Sequence, residues 1–400
     1  MNIAHIRQDT KGCTDKLFFN SAGASLMPSV VVKKMKNYLD EEEEFGGYFI
    51  QSKHAEELQE VYTQAATLLH CAPKNIAITY NATNSFFKAL SSIDFKEGDC
   101  ILTTDDDYIS NQLTFIRLQE KWKLQLIRGT NLPNGDLDLD DFEDKIKTYL
   151  PKLITVAHIP TNSGLIQPVE EVGALCKKYD ILFLLDACQS VGQIDVDTEA
   201  IGCDYLCATG RKFLRGPRGI GLLYVSDKVL EKQIAPTFID MSGAEWTGPN
   251  QYTLQNNAKR FETWEQSRAS ILGLKEALAY ANTIGMKNIE TYNNNLSKHL
   301  RSGLSKIPEV TLLDKGSKQC SIVTFTIKGA ELNSLTSYLS SKQIYYSVSN
   351  KNAALIDFTK KEVDWAIRFS PHYFNTTEEL DKAIAIVEAY NSKTQFSSYQ

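Results

Sequence analysis

Asp186 and Lys212 are the residues whose types and surroundings point most directly to chemistry. Asp186 sits in ILFLLDACQS, where five large apolar residues precede the carboxylate. An aliphatic run without alternation reads as a strand covered on both faces, at the centre of a parallel sheet. A carboxylate at its carboxyl end would emerge on the edge where open α/β sheets bind ligands. Downstream, CDYLCATG reads as another short strand, delivering the turn Thr209-Gly210-Arg211-Lys212 to the same edge ahead of the Gly-rich FLRGPRGIG. A lysine and a carboxylate brought together there form an ion pair in one reading. In the other they serve pyridoxal phosphate: the lysine forms a Schiff base with the cofactor, and the carboxylate keeps the pyridine nitrogen protonated as an electron sink. Arg211, Arg215 and Arg218 are expected to disfavour the ammonium form of Lys212.

A third element, YNATNSFFKAL, puts Asn81, Thr83, Asn84 and Ser85 at the start of a helix. Free N–H groups and hydroxyls at a helix N-terminus suit a phosphate, although such residues cap most helices. Neither GxGxxG nor GxxxxGK[ST] occurs, so dinucleotide and nucleoside-triphosphate sites lack their glycine signatures.

The elements that must position these residues fall into two rhythms. From about residue 53 to 230, helical periodicity alternates with short apolar runs, the pattern of an α/β layer with a mainly parallel sheet. Strands are expected at Ile76 to Thr79, Cys100 to Thr103, Lys123 to Ile127, Leu153 to Ala157 and Ile181 to Leu185. Beyond about residue 265 come two long helical stretches, then Val310 to Leu313, Ser321 to Ile327, a helix, Ile344 to Ser347, Ala366 to Ser370 and a last helix. That reads as a smaller α+β domain. The expected division is a large domain over 18–265 and a small one over 266–400 with help from 1–17. The acidic run Asp40 to Glu44 is assigned to a solvated helix end, against the helix dipole.

The 400 residues are 42% apolar and 23% charged, enough for a sizeable core and too long for a small binding module. The net charge of -6 gives no global reason to bind nucleic acid or an anionic membrane. MNIAHIRQDTKGCTDK has no apolar stretch to act as a signal or spanning segment, so a soluble, cytoplasmic protein is expected. Eight cysteines show no CxxC pair and no metal-ligand spacing and read as buried thiols.

The segment DACQSVGQIDVDTEAIGCDYLCATGRKFLRGPRGIGLLYV resembles the cofactor-lysine region of class V aminotransferase-like enzymes. These are fold type I pyridoxal phosphate enzymes and include cysteine desulfurases, isopenicillin N epimerases and hercynylcysteine sulfoxide lyases. The resemblance runs from about Phe18 to Tyr390. It implies Lys212 as the Schiff-base lysine, Asp186 as the pyridinium partner and Gln189 as hydrogen-bond donor to the phenolic oxygen. Ala82, Thr83 and Thr209 become cofactor contacts, with both threonines on the phosphate. Tyr108, in ILTTDDDYISNQ, stands where the family usually stacks a histidine on the ring. Arg368, in AIRFSPHYFNTTEEL, matches the arginine that clamps the substrate carboxylate. A homodimer with its active site at the subunit boundary is implied as well.

This chain departs from the family pattern in three places. Thr161 replaces the asparagine that commonly contacts the phenolic oxygen, with Asn162 a candidate substitute. Trp264-Glu265 replaces the Gly-Thr pair through which a partner subunit touches the phosphate. The stretch SVSNKNAALIDFTKKEVDWAIR contains no cysteine where desulfurases carry theirs; the only thiol of the C-terminal part, Cys320, reads as core. His158 is assigned either to the cofactor's surroundings or to the core. The expected activity is therefore C–S cleavage by β-elimination from a cysteine-type amino acid without a catalytic cysteine. Epimerisation or transamination is the alternative, and a non-catalytic ligand-binding protein the reading from a different class.

Overall fold

A computed structural model describes residues 1–397. Its centre is a sheet of seven strands: β1 (Ile76–Thr79), β2 (Cys100–Thr104), β3 (Gln125–Gly129), β4 (Leu153–Ala157), β5 (Leu182–Asp186), β6 (Tyr205–Thr209) and β7 (Gly221–Val225). The spatial order is β1-β7-β6-β5-β4-β2-β3. β7 runs antiparallel to both neighbours, and the remaining pairs are parallel. β5, the strand with the continuous aliphatic run, is the middle one. Successive side chains leave a strand on opposite faces, so Phe183 and Leu185 enter one apolar core while Leu184 enters another. Both faces are thereby covered.

The register brings the functional ends together. Asp186 pairs with Ala157 and Cys207, and Gly221 pairs with both Thr209 and Thr79. The carboxyl ends of β1, β4, β5 and β6 thus share one edge. Gly221 is needed there, since a Cβ would stand 2.7 Å from the Ala208 carbonyl and 2.9 Å from the Ala82 nitrogen. The close approach holds the start of helix Ala82–Ser91 against the sheet.

A second, antiparallel sheet of four strands has the order Val310–Leu312, Val323–Ile327, Trp365–Phe369, Ser347–Asn350. The single strand expected over Ile344 to Ser347 is in fact two. Ile344–Tyr345 pairs in parallel with Leu17–Phe18, and Ser347–Asn350 joins the four-stranded sheet. β3 starts at Gln125 and not at Lys123, because Lys123 takes a left-handed conformation (φ 52°) to end helix Ile109–Trp122. Helix Leu139–Tyr149, capped by Asp138, and the hairpin Ala244–Gly248/Gln251–Leu254 were not among the expected elements. The acidic run lies in the last turns of helix Ser29–Phe45, where Lys53 of the following segment supplies counter-charge to Glu41 and His54 lies at hydrogen-bond distance from it (3.0 Å). Among the described residues, no helix is long and apolar enough to cross a membrane.

Candidate active site

A cavity of about 560 Å³ opens at the shared edge of the large sheet. Asp186, Lys212, Gln189, Tyr108, Thr161, Ala82, Thr83 and Thr209 all line it. Of the nine residues compared with the family's cofactor and substrate contacts, eight are therefore neighbours. The ninth, Arg368, is buried beside the cavity and joins it through Thr161, donating from Nη1 to the Thr161 carbonyl (3.1 Å) and hydroxyl (2.5 Å).

Lys212 is 8% exposed, and its Nζ has no ion pair or hydrogen bond among the described residues. Its Nζ lies 5.9 Å from the centre of the Tyr108 ring. Burial is the main force lowering its pKa; Cys188 and Asp186 oppose the shift, and Arg211 and Arg368 add to it. Of the three arginines expected to act on it, Arg211 and Arg218 line the cavity. Arg215 does not. It is fully buried elsewhere, donating to the Leu26 carbonyl and the Thr10 hydroxyl, with Tyr373 and Phe374 each 4.9 Å away. Three residues beyond Lys212, the turn has already redirected its side chains into the interior.

The Asp186 carboxylate accepts from the Cys188 N–H (3.0 Å) and from Asn111 Nδ2 (3.0 Å). Gln189 donates from Nε2 to the Thr161 hydroxyl (3.0 Å) and the Ala22 carbonyl (3.2 Å), and its buried Oε1 has no partner in the protein. Arg368 Nε is likewise buried and unpartnered; burial, then the charge of Arg211, lowers the Arg368 pKa to about 10. At the other end, Asn81 caps helix Ala82–Ser91 through the Asn84 N–H (2.9 Å). The remaining free N–H groups of that turn lie beside Thr83 and Thr209.

Several readings need correction. Asn162 does not reach the cavity; its amide donates to Asp357 (2.7 Å). Of the two readings of His158 the core one holds: it follows β4 directly, is buried and does not line the cavity, and burial pushes its pKa down to about 4. The thiols are not all buried, since Cys188 is half-buried on the cavity wall and Cys71 is also half-buried. Cys188 stays protonated, held there first by burial and then by the Asp186 charge. Cys320 is fully buried, and burial pushes it up to about 12. Trp264 and Glu265 line a separate hollow with Tyr48 and Arg268.

Cavity residues that sequence reasoning missed include Asn111, Cys188 and Phe87, whereas Asn81 and Asn84 of the expected helix start do line it. Helical spacing was an available signal for Asn111, one turn after Tyr108. Cys188 lies two residues past Asp186, in the turn leaving β5. Where desulfurases carry a cysteine, residues Lys351–Ala353 form a 3₁₀ turn followed by helix Leu355–Lys360.

Comparison with known proteins places this geometry. The family model for aminotransferase class V matches residues 17–383. A probable cysteine desulfurase of Pyrococcus abyssi is 28% identical over 392 residues, covering 96% of each chain. The apo structure of a cysteine desulfurase from Thermococcus onnurineus NA1 superposes with a TM-score of 0.90 at 27% identity, covering 98% of each chain. The cystine C–S lyase C-DES, in complex with its product cysteine persulfide, shares the fold with a TM-score of 0.84 at 22% identity, over 95% of this chain and 99% of that one. With its model matched over almost the whole length and its polar groups gathered at one sheet edge, the chain belongs to the aminotransferase class V family, as an α/β enzyme with the type I fold of pyridoxal phosphate enzymes.

Proposed function

We propose that this enzyme binds pyridoxal phosphate through Lys212 and cleaves the C–S bond of a cysteine-type amino acid by β-elimination, without a catalytic cysteine. The observation that carries the reading is a buried lysine with no counter-ion, in a cavity shared with a hydrogen-bonded carboxylate. The polar groups present, an acceptor in Gln189 Oε1 and a donor in Arg368 Nε, fit the group. Gln189 Oε1 and Arg368 Nε are buried polar atoms that find no partner in the protein, and a helix N-terminus with Thr83 and Thr209 suits a phosphate. When bound, pyridoxal phosphate supplies a carbonyl that links to the substrate amine and a ring that takes up the electron pair left at the α-carbon.

The chain's own residues do the rest. Burial favours neutral Lys212, so its Nζ can take the α-proton. Asp186 presents its carboxylate to the ring nitrogen, with both oxygens already steadied by N–H donors. The Thr161 hydroxyl accepts from Gln189 and Arg368, which leaves its O–H free to donate into the cavity. Arg368 offers its guanidinium to the substrate carboxylate in exchange for Thr161, and a planar fork favours two parallel bonds. Loss of the α-proton and departure of the β-sulfur as thiolate leave an unsaturated amine that hydrolyses to pyruvate and ammonia.

The partner is a second copy of the chain. An apolar groove of about 890 Å³ is lined by Phe87, Leu113, Trp122 and Phe238, the last 82% exposed. Phe87 belongs to both the groove and the cavity, so a copy covering the groove would also wall the site. Phe238→Asp should reduce the mass measured by sedimentation equilibrium to that of one chain.

The activity is tested by incubating the loaded enzyme with cysteine conjugates and free amino acids. Pyruvate with ammonia and a released thiol supports elimination; an inverted amino acid or a keto acid instead overturns it in favour of epimerisation or transamination. Cys320→Ala and Cys188→Ala should each keep sulfur release. If either loses release with its cofactor still bound, a persulfide route replaces the present reading.

A further inference from the structure

Asp186 is held from behind by a second carboxylate. Asn111 Nδ2, which donates to Asp186 Oδ2, also lies 2.9 Å from Asp107 Oδ1. Its two hydrogens are therefore divided between two acids, and this dictates the amide's orientation, because the carbonyl oxygen in that place would face both carboxylates. Asp107 is buried and accepts from three more donors: the Tyr108 N–H (2.6 Å), the Thr103 hydroxyl (3.3 Å) and Gln112 Nε2 (3.4 Å). Gln112 is itself gripped by Arg128 (2.6 Å). Asp107 does not line the cavity.

Its position is costly. Among the described residues, the charged group facing Asp107 is Asp186, a like charge; burial first and that charge second push Asp107 up to about 7, against the donors that pull it down. A neutral side chain of similar shape would avoid the repulsion. What the carboxylate provides is two simultaneous grips on residues of the cavity wall. Through Asn111 it reaches the Asp186 oxygen, and through the Tyr108 N–H it fixes the N-cap residue of helix Ile109–Trp122, whose ring lies over Lys212.

We propose that Asp107, acting through the Asn111 bridge and the Tyr108 N–H, is a positioning residue that aims Asp186 and Tyr108 at the bound cofactor. The inference rests on Asp186 as the partner of the ring nitrogen. A ring nitrogen held less firmly in its protonated form withdraws fewer electrons from the Lys212 linkage, so that linkage keeps its proton to higher pH.

The test titrates the visible absorption of the cofactor-loaded protein with pH and measures cofactor binding by equilibrium dialysis. Asp107→Asn and Asn111→Ala should each raise the spectral midpoint by about 0.5 pH unit or more and weaken cofactor binding about tenfold, with the double variant no worse than either alone. Turnover should fall about tenfold while KM changes less than about twofold. Asp186→Asn is the reference. If it leaves the midpoint unchanged, the role of Asp186 fails and this proposal with it. If it shifts the midpoint while the other two variants lower only Tm, Asp107 is merely structural and the proposal alone is overturned. Should Asp107→Asn fail to fold, Asn111→Ala decides, since it cuts the same bridge and leaves Asp107 in place.

Discussion

Two neighbourhoods of buried charge lie side by side, and the run Asp105 to Asp107 passes from one into the other. On the side facing the small sheet, Lys315 bridges Asp106 (2.6 Å) and Asp357 (2.7 Å), Asp357 also meets Lys361 (2.8 Å), and Asp105 meets Lys360 (2.6 Å). Every acid there has a cation, and Lys361 and Lys315 hold Asp357 below the usual carboxylate range even though burial opposes them. On the cavity side, Lys212 has no anion in contact, Arg368 meets only Thr161, and Asp107 faces a like charge. The paired cluster is what a protein does with buried charge for structure. The unpaired one costs folding free energy and leaves groups ready for a ligand. The cation expected to belong with Lys212, Arg215, lies outside both neighbourhoods, held by backbone, hydroxyl and aromatic partners and by no carboxylate.

If the contrast is right, substitutions on the two sides should fail in different ways. The largest effect is expected at Lys212→Ala, where turnover should drop by about 10³-fold or more. Borohydride reduction and peptide mapping should label Lys212 in the native enzyme, and label on another lysine would reassign the site. Asp186→Asn keeps size and removes charge; we expect a loss of about 10²-fold in turnover with the fold intact by circular dichroism. Near-normal turnover would remove the electron-sink role.

Arg368→Lys should come next, costing amino-acid turnover about 2 kcal/mol, roughly 30-fold, because an ammonium cannot reproduce the fork. The absorption of the bound cofactor should not change. Normal discrimination between amino acids and their decarboxylated amines would show that Arg368 does not select the carboxylate. Lys315→Met tests the paired side: two buried aspartates lose their shared cation, and stability should fall by about 3 kcal/mol in denaturant titration while turnover stays within about threefold. A large loss of turnover at unchanged stability would erase the distinction between the two neighbourhoods.

The last effect is one of pH and bears on stability alone. Asp107 binds its proton more tightly in the folded state, with a pKa of about 7 against an ordinary 3.8. Its contribution to stability is thus complete below the ordinary value and is lost as pH rises through that window. Cofactor-free protein should show Tm declining between these limits, and Asp107→Asn should flatten the decline. An identical slope in the variant would assign the titration to another group.

How much of this could be read without coordinates depended on the range of the interactions. Strands β1, β4 and β5 were legible from their apolar runs, since local composition suffices when both faces of a strand are buried. Asp186 and Lys212 could be placed on one edge because each follows a strand directly. The boundary at Lys123 and the split at Tyr346 were not legible, because they turn on a left-handed cap and on which of two sheets accepts the hydrogen bonds. The division of charges was also hidden: in sequence, Asp105, Asp106 and Asp107 are three equal aspartates, and Arg211, Arg215 and Arg218 three equal arginines. By itself the sequence determined the period, the strand ends and the residue types that chemistry needs. Only the tertiary structure decided which charges meet a partner, because their partners lie up to 255 residues away, as for Asp105 and Lys360, and pairing at that distance is set by packing and not by local pattern.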